Sequence, residues 1–288
     1  MKLVIAGIFY DGYSDIWEDF LELFNKYWPN CPYELYIINN EKKINFNGKI
    51  NLKVIHAGKE AEYSKKIQTL LSSVKSEYYL LLLEDFFLGK TLNQDVLKDI
   101  LNYIKKYEIK YYKMPIDDFI PVGSKNIIRN ISLKDEYTIT CQPSIWKRNF
   151  LIECIGNRNY NAWIFEGIYS KAPKVHSTNF LEGCIVDNRN ILSIHHGALQ
   201  GKLIRKTYNY FKKNGYKLKN KRHLLSLKEE KFYELKKLCS NIFPKYFRDK
   251  LKAQQKDNLI LKKYEDEIEK LITEMNLDIN EVESGKSI

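Results

Sequence analysis

Two adjacent carboxylates, Glu84 and Asp85, come directly after the apolar run Tyr78–Leu83. A run of that character belongs in the middle of a sheet with both faces covered. Ligands of open α/β sheets bind in the crevice at the carboxyl ends of the strands, so the chemistry of this chain is to be sought where these acids leave the core. Carboxylate oxygens are ligands for hard divalent cations; taken alone, the pair serves equally well to end a strand and cap the next element. Neighbours on an extended strand point opposite ways. Either one acid alone faces the site, or the chain turns there, or charge is neutralised without a metal.

Further along, Glu166 stands beside Trp163 and Phe165, an apolar setting that would lift a carboxyl toward the range of a general base. The plain alternative is an exposed helix glutamate. His195 and His196 are adjacent, so at most one faces a site. Gly201 and Lys202, opening a helix, add a cation and free backbone donors suited to phosphate. Trp146 and Trp163 offer flat faces to a sugar ring, although a tryptophan at helical spacing is more often core. Tyr10 and Asp11 end the first strand; Lys59 and Lys65 could face a phosphate, although helix lysines are ordinarily solvated. GxGxxG and GxxxxGK[ST] are both absent, which counts against a dinucleotide oxidoreductase and a P-loop NTPase.

The elements that must position these residues read as alternating strands and helices. Residues 2–9 form an apolar strand, with Asp11, Gly12 and Ser14 as turn and cap. Ile16, Phe20, Leu23, Phe24 and Tyr27 recur at helical spacing until Trp28-Pro29-Asn30 breaks the pattern. Strands come next at 33–39 and 52–56, then a helix at 61–74, the buried strand at 78–83, a helix at 95–107 and a strand at 109–114. That alternation argues a doubly wound, mostly parallel sheet. Beyond it the spacing predicts a loop or hairpin over 123–132, a strand at 138–141, helices at 143–154 and 160–169, and late strands at Ile185 and 191–195. After Gly201 the chain reads as helical: 202–214, then 227–242 opened by a capping box of Ser226 and Glu229. In the last helix, Leu261, Tyr264, Ile268, Leu271 and Met275 form a stripe too short for a coiled coil, suited to docking on the same chain and open to pairing between copies.

With 288 residues, a prior of one or two domains applies, and no apolar run is long enough to span a bilayer. The opening MKLVIAGIFYDG reads as a first strand rather than a signal peptide. Five scattered cysteines without a CxxC pair read as reduced thiols of a cytosolic protein. The net charge of +11 is localised: residues 1–200 hold 25 basic and 23 acidic side chains, whereas 202–252 hold 17 and 4.

The first 200 residues resemble the GT-A nucleotide-sugar glycosyltransferases, in particular the family 2 enzymes that build bacterial surface polysaccharides. The likeness rests on the stretch from Gly58 through a basic helix and buried strand to Glu84-Asp85, on Gln142-Pro143-Ser144-Ile145-Trp146-Lys147-Arg148 with Trp163-Ile164-Phe165-Glu166, and on His195-His196 with Gly201-Lys202. It implies an α/β GT-A domain over 1–200 with a basic helical extension over 201–288. It implies a nucleotide-diphosphate sugar held by Tyr10, Asp11, Lys59, Lys65, Glu84, Asp85 and Lys202, and an acceptor held by Gln142, Trp146 and Trp163. Divalent Mn or Mg would be held by Glu84, Asp85, His195 and His196, with Glu166 as base of an inverting transfer to a glycan or lipid-linked acceptor in capsule or lipopolysaccharide synthesis. The sequence departs from that pattern twice: the family's acids stand two positions apart, and Gly167 occupies the place of a second acid after Glu166.

Rival readings are a sugar nucleotidyltransferase, which would carry a glycine-rich basic loop where this chain has Phe9-Tyr10-Asp11-Gly12, and a non-catalytic nucleotide- or glycan-binding module. In the basic segment, Lys and Arg interleave with Tyr208, Tyr210, Phe211, Phe232, Phe243, Tyr246 and Phe247. That mixture suits the anionic inner face of a membrane; a merely solvated face has nearly equal weight. No nucleic-acid-binding motif accompanies it.

Overall fold

The computed structural model describes residues 2–117, 120, 123, 125, 127–133, 135, 138–170, 178–242 and 263–283. Every side chain of β1 (Leu3–Ile8) is buried, because successive residues of a strand go to opposite faces and here both faces are covered. Leu3 and Ile5 join a core with residues of α1 (Trp17–Tyr27) and α3 (Gln94–Lys106). Val4, Ala6 and Ile8 join a second core with α2 (Tyr63–Ser73), α4 (Arg148–Ile155) and α5 (Ala162–Ser170).

Between these layers lies an eight-stranded sheet in the order β3 (Leu52–His56), β2 (Leu35–Asn39), β1, β4 (Tyr78–Leu83), β8 (Ser144–Lys147), β6 (Tyr111–Lys113), β9 (Cys184–Asp187), β7 (Ile128–Asn130). The pairings make six strands parallel and leave β8 and β7 running the other way. The fold is therefore α/β with a mostly parallel central sheet flanked by helices, as the alternation of elements predicts.

Two expected elements differ. The predicted helix over 143–154 begins as strand β8, because Ile145 and Trp146 are buried between β4 and β6, and becomes helical only at Arg148. Residues 138–141 are buried or half-buried but form no strand. Their backbone donors bond to side chains instead, Thr140 N–H to the Tyr111 hydroxyl (3.3 Å) and Cys141 N–H to Glu166 Oε1 (2.9 Å).

A short strand pair, β5 (Phe86–Leu88) with β10 (Ile194–His196), lies outside the main sheet, followed by the hairpin β11 (Ala198–Leu199) and β12 (Lys202–Leu203). Residues 202–203 thus pair as a strand, and the helix predicted from 202 starts later, as α6 (Arg205–Lys213). Its Phe211 and the subsequent Leu218 belong to the first core. Buried Asp19 of α1 fastens this part of the chain, accepting from the Lys219 N–H (2.8 Å), the Asn220 side-chain amide (2.8 Å) and the Tyr216 hydroxyl (3.1 Å). Next come α7 (Leu227–Ile242), opened by the expected Ser226–Glu229 capping box, and α8 (Glu265–Glu283). Of the expected stripe, Ile268 is buried in the second core with residues of α5, and Tyr264 and Leu271 pack against it, joined by Ile272, which the stripe did not include. Phe243, Tyr246, Phe247 and Leu261 lie outside the described residues.

Candidate functional site

The chain turns directly after β4, at Glu84 and Asp85, before β5 resumes. Register then decides the roles of the two histidines. In the antiparallel pair, His196 stands opposite Phe86 and His195 opposite Phe87, so the two rings leave on opposite faces. His196 Nε2 lies 2.9 Å from Asp85 Oδ2. The His195 ring instead stacks on Tyr210 of α6, centroids 3.8 Å apart, with Phe211 at its edge. His195 is therefore turned away from the acids that the sequence expects it to join.

Gly197 makes the approach of His196 to Asp85 feasible. Its N–H donates to the Asp85 carbonyl at 2.6 Å, and a Cβ there would stand 2.6 Å from Phe87 and 3.0 Å from that carbonyl oxygen. The Thr207 hydroxyl donates to the His196 carbonyl (2.6 Å), tying β10 to α6.

Glu84 is buried, with Oε1 accepting from the Tyr10 N–H at 3.4 Å. Burial, and then the charge of Asp85, push its carboxyl up to about 8, against opposing hydrogen bonds and the cation of Lys66. Lys66 is only 3% exposed and its ammonium lies 5.4 Å from the centre of the Tyr10 ring. Burial lowers its pKa, with Glu84, Glu62 and Asp11 pulling the other way. Lys59 and Lys65, the expected phosphate partners, are both exposed. The helical repeat Tyr63, Lys66, Ile67, Leu70 marks the buried face of α2 and is the signal that singles out Lys66 over Lys65.

Tyr10 is 55% exposed. Asp11 next to it ties strand ends together: Oδ1 accepts from the Asn39 side chain (2.9 Å) and the Asn40 N–H (3.0 Å), and Oδ2 from the Glu41 (2.9 Å) and Lys42 (2.8 Å) N–H groups. Burial acts to raise its pKa, but these donors outweigh it and hold the carboxyl below its usual range.

On α5, Glu166 accepts the Cys141 N–H, and burial raises its pKa against the pull of that donor, of Lys113 and of His196. Lys113, at the carboxyl end of β6, donates to the Thr138 carbonyl (3.3 Å); burial pulls its amine down to about 8, with Asp135 and Glu166 opposing. It is a second lysine that sequence reasoning misses, because alternation on a short strand carries little signal.

Trp163 is 43% exposed and lies one helical turn before Glu166. Trp146, by contrast, is 1% exposed, packed on Tyr111 and donating its indole N–H to Ser144 (2.8 Å). No face of it is open to a sugar. Gln142 accepts from the Ile116 N–H (3.3 Å), and Lys202 pairs with Glu229 at 2.6 Å. Cavities of about 280 Å³ beside Trp28 and Tyr33, and about 310 Å³ beside Phe46 and Tyr216, contain none of these residues.

Hard divalent cations take oxygen ligands and leave coordination positions to phosphate and water, whereas imidazole suits softer ions. Asp85 supplies one such oxygen and His196 an imidazole beside it, a partial donor set. Glu84, favouring its protonated form near neutrality, and His195, turned away, do not add to it. No group of three or more His, Cys, Asp or Glu side chains that could hold an ion occurs among the described residues.

No family model matches the chain, and no curated protein does. Among solved structures, it is similar to residues 1–349 of TarS from S. aureus in complex with UDP-GlcNAc, at 14% identity and a TM-score of 0.40 over 59% of this chain and 53% of that one. It is also similar to the mannosyltransferase PcManGT from Pyrobaculum calidifontis in complex with GDP-Man and Mn²⁺, at 9% identity and a TM-score of 0.42 over 69% and 58%. A third match is the bifunctional IspDF from Campylobacter jejuni, at 12% identity and a TM-score of 0.34 over 55% and 44%. The chain thus spans about half the length of these proteins, and the likeness is one of overall arrangement. No helix among the described residues is long and apolar enough to cross a membrane.

Proposed function

We propose that this protein transfers a sugar from a nucleotide-diphosphate donor to a hydroxyl acceptor. The observation that supports the reading is the contact of Asp85 with His196 in the turn after β4, beside buried Glu84, whose carboxyl accepts the Tyr10 N–H after β1. Separate stretches of sequence supply these groups, and only the fold brings them to one edge.

In the proposed reaction, charge grows on the departing diphosphate, and preorganised cations are what stabilise it. Lys66, held near Tyr10 and Glu84, is one such group. A divalent ion, when bound, would be held by Asp85 and His196 and would supply Lewis-acid neutralisation of the diphosphate. Tyr10, beside Lys66, offers an open ring to the nucleoside. Glu166 accepts the proton of the attacking hydroxyl, its raised pKa bringing it closer to neutrality than an ordinary glutamate. Exposed Trp163, on the same helix, would carry the acceptor sugar. An inverting outcome results if Glu166 acts from the face opposite the diphosphate. The acceptor as a surface glycan or lipid-linked glycan rests on the sequence resemblance alone.

The test is donor binding and turnover in parallel. UDP- and GDP-sugars are screened by calorimetry with and without Mn²⁺, and donor consumption is followed with the Glu166→Gln variant. Loss of a general base costs about a hundredfold to ten-thousandfold in kcat, with nucleotide affinity unchanged. Undiminished turnover in E166Q removes Glu166 as base, and failure of any nucleotide to bind removes the transferase reading itself.

A further inference from the structure

The described side chains at the start of helix α7 divide between two faces. At about 100° per residue, Glu229 and Glu230 fall on one side and Leu227, Lys228, Lys231, Phe232 and Leu235 fall on the other. The acidic side faces the protein. Glu229 pairs with Lys202 (2.6 Å), and Glu230 Oε1 accepts the Arg205 N–H (2.8 Å) and Lys206 N–H (3.3 Å) at the start of α6. A carboxylate is a favourable occupant of a helix N-terminus, so Glu230 fixes which way α7 is turned. The opposite side is left in solvent, with Leu227 63%, Phe232 51% and Leu235 59% exposed and both lysines exposed.

Three large apolar side chains facing water on one helix stripe mark a contact surface. The lysines among them decide what it contacts. A second copy would bring the same face up in an isologous pair, setting two cation-bearing faces, each with Lys228 and Lys231, against one another. An anionic bilayer satisfies both components, taking the apolar side chains at the headgroup boundary while its phosphates meet the ammonium groups. The sequence around α7 has the matching sign, since residues 202–252 hold 17 basic and 4 acidic side chains. We propose that the outward face of α7 docks this protein on an anionic membrane surface, with Leu227, Phe232 and Leu235 entering the headgroup boundary and Lys228 and Lys231 interspersed among them. The proposal stands apart from the transferase reading, because it concerns a surface that the acid-lined edge does not use.

The experiment is co-sedimentation of the full chain with phosphatidylcholine vesicles and with vesicles that also contain phosphatidylglycerol, beside light scattering of the free protein. Expected is binding to the anionic vesicles alone, released by salt, and a monomer in solution. Both Phe232→Ser/Leu235→Ser and Lys228→Glu/Lys231→Glu weaken that binding roughly tenfold or more, with circular dichroism unchanged. Absence of binding, equal binding to neutral vesicles, or full binding by either folded double variant overturns the proposal. So does a dimer that F232S/L235S dissociates, which would make this face a contact between copies.

Discussion

Glu84 and Glu229 are each followed by a second acid, Asp85 in one case and Glu230 in the other, and the two glutamates behave in opposite ways. Glu84 is buried at the sheet edge, where burial and the neighbouring charge push it up to about 8. Glu229 is exposed on α7, and Lys202, with the Ser226 cap, draws it down to about 2. The same dipeptide chemistry thus supplies a proton-holding group in one place and a solvated fastening in the other. What differs is that Glu84 is desolvated beside a like charge, whereas Glu229 keeps its water and gains donors from Lys202 and Ser226.

The contrast breaks most visibly under pH. A group whose folded pKa lies above its unfolded value contributes stability that is complete below the unfolded pKa and is lost as pH rises through the folded one. For Glu84 that window runs from 4.5 to about 8, and the effect is on the order of a few kcal/mol. Thermal unfolding of the wild type should therefore lose ground to Glu84→Gln as pH rises from 5 to 9 (about the span of that window). Parallel Tm curves for the two proteins would place Glu84 in water and end the contrast.

A smaller effect is expected at the contact that creates the site. Gly197→Ala puts a Cβ 2.6 Å from the Phe87 ring and 3.0 Å from the Asp85 carbonyl oxygen, an overpacking worth about 1–3 kcal/mol. Chemical denaturation should show that loss, with weakened nucleotide binding because His196 is displaced from Asp85. An unchanged midpoint and unchanged binding would mean that β10 is free to shift without consequence.

The smallest effect belongs to Glu229. Its pKa is lowered, so its contribution is present above 4.5 and lost as pH falls toward about 2. Because the pair with Lys202 is exposed, Glu229→Gln should move the denaturation midpoint at neutral pH only marginally, and added salt should erase the difference. A large, salt-insensitive loss would show that the fastening of α7 is buried in solution.

Much of the fold is legible in the sequence. The strand from Tyr78 to Leu83 is apolar on every position and lies in the interior of the sheet, and α1, α2 and α3 appear where apolar spacing marks them. Residues 144–147 read as helix because a short run such as Ser-Ile-Trp-Lys has no period of its own; burial between two antiparallel neighbours makes it a strand. The strand pair β5–β10 is invisible for a related reason: its partners are about a hundred residues apart, and loop closure at that range leaves no local trace.

The candidate site is legible in residue type and not in orientation. Sequence points to Glu84, Asp85, Glu166 and the histidine pair, since an apolar strand ending in acids and a carboxyl among aromatics are local facts. It could not choose His196 over His195, because that choice belongs to the register of β10 against β5, whereas Lys66 over Lys65 lay within reach of the helical repeat of α2. By itself the sequence determined the alternating elements, the excess of positive charge in the last third and the acids at the end of the most apolar strand. Only the tertiary structure decided which neighbour faces the acids and which glutamate loses its water, because facing and desolvation are properties of packed partners and not of a residue and its near neighbours in the chain.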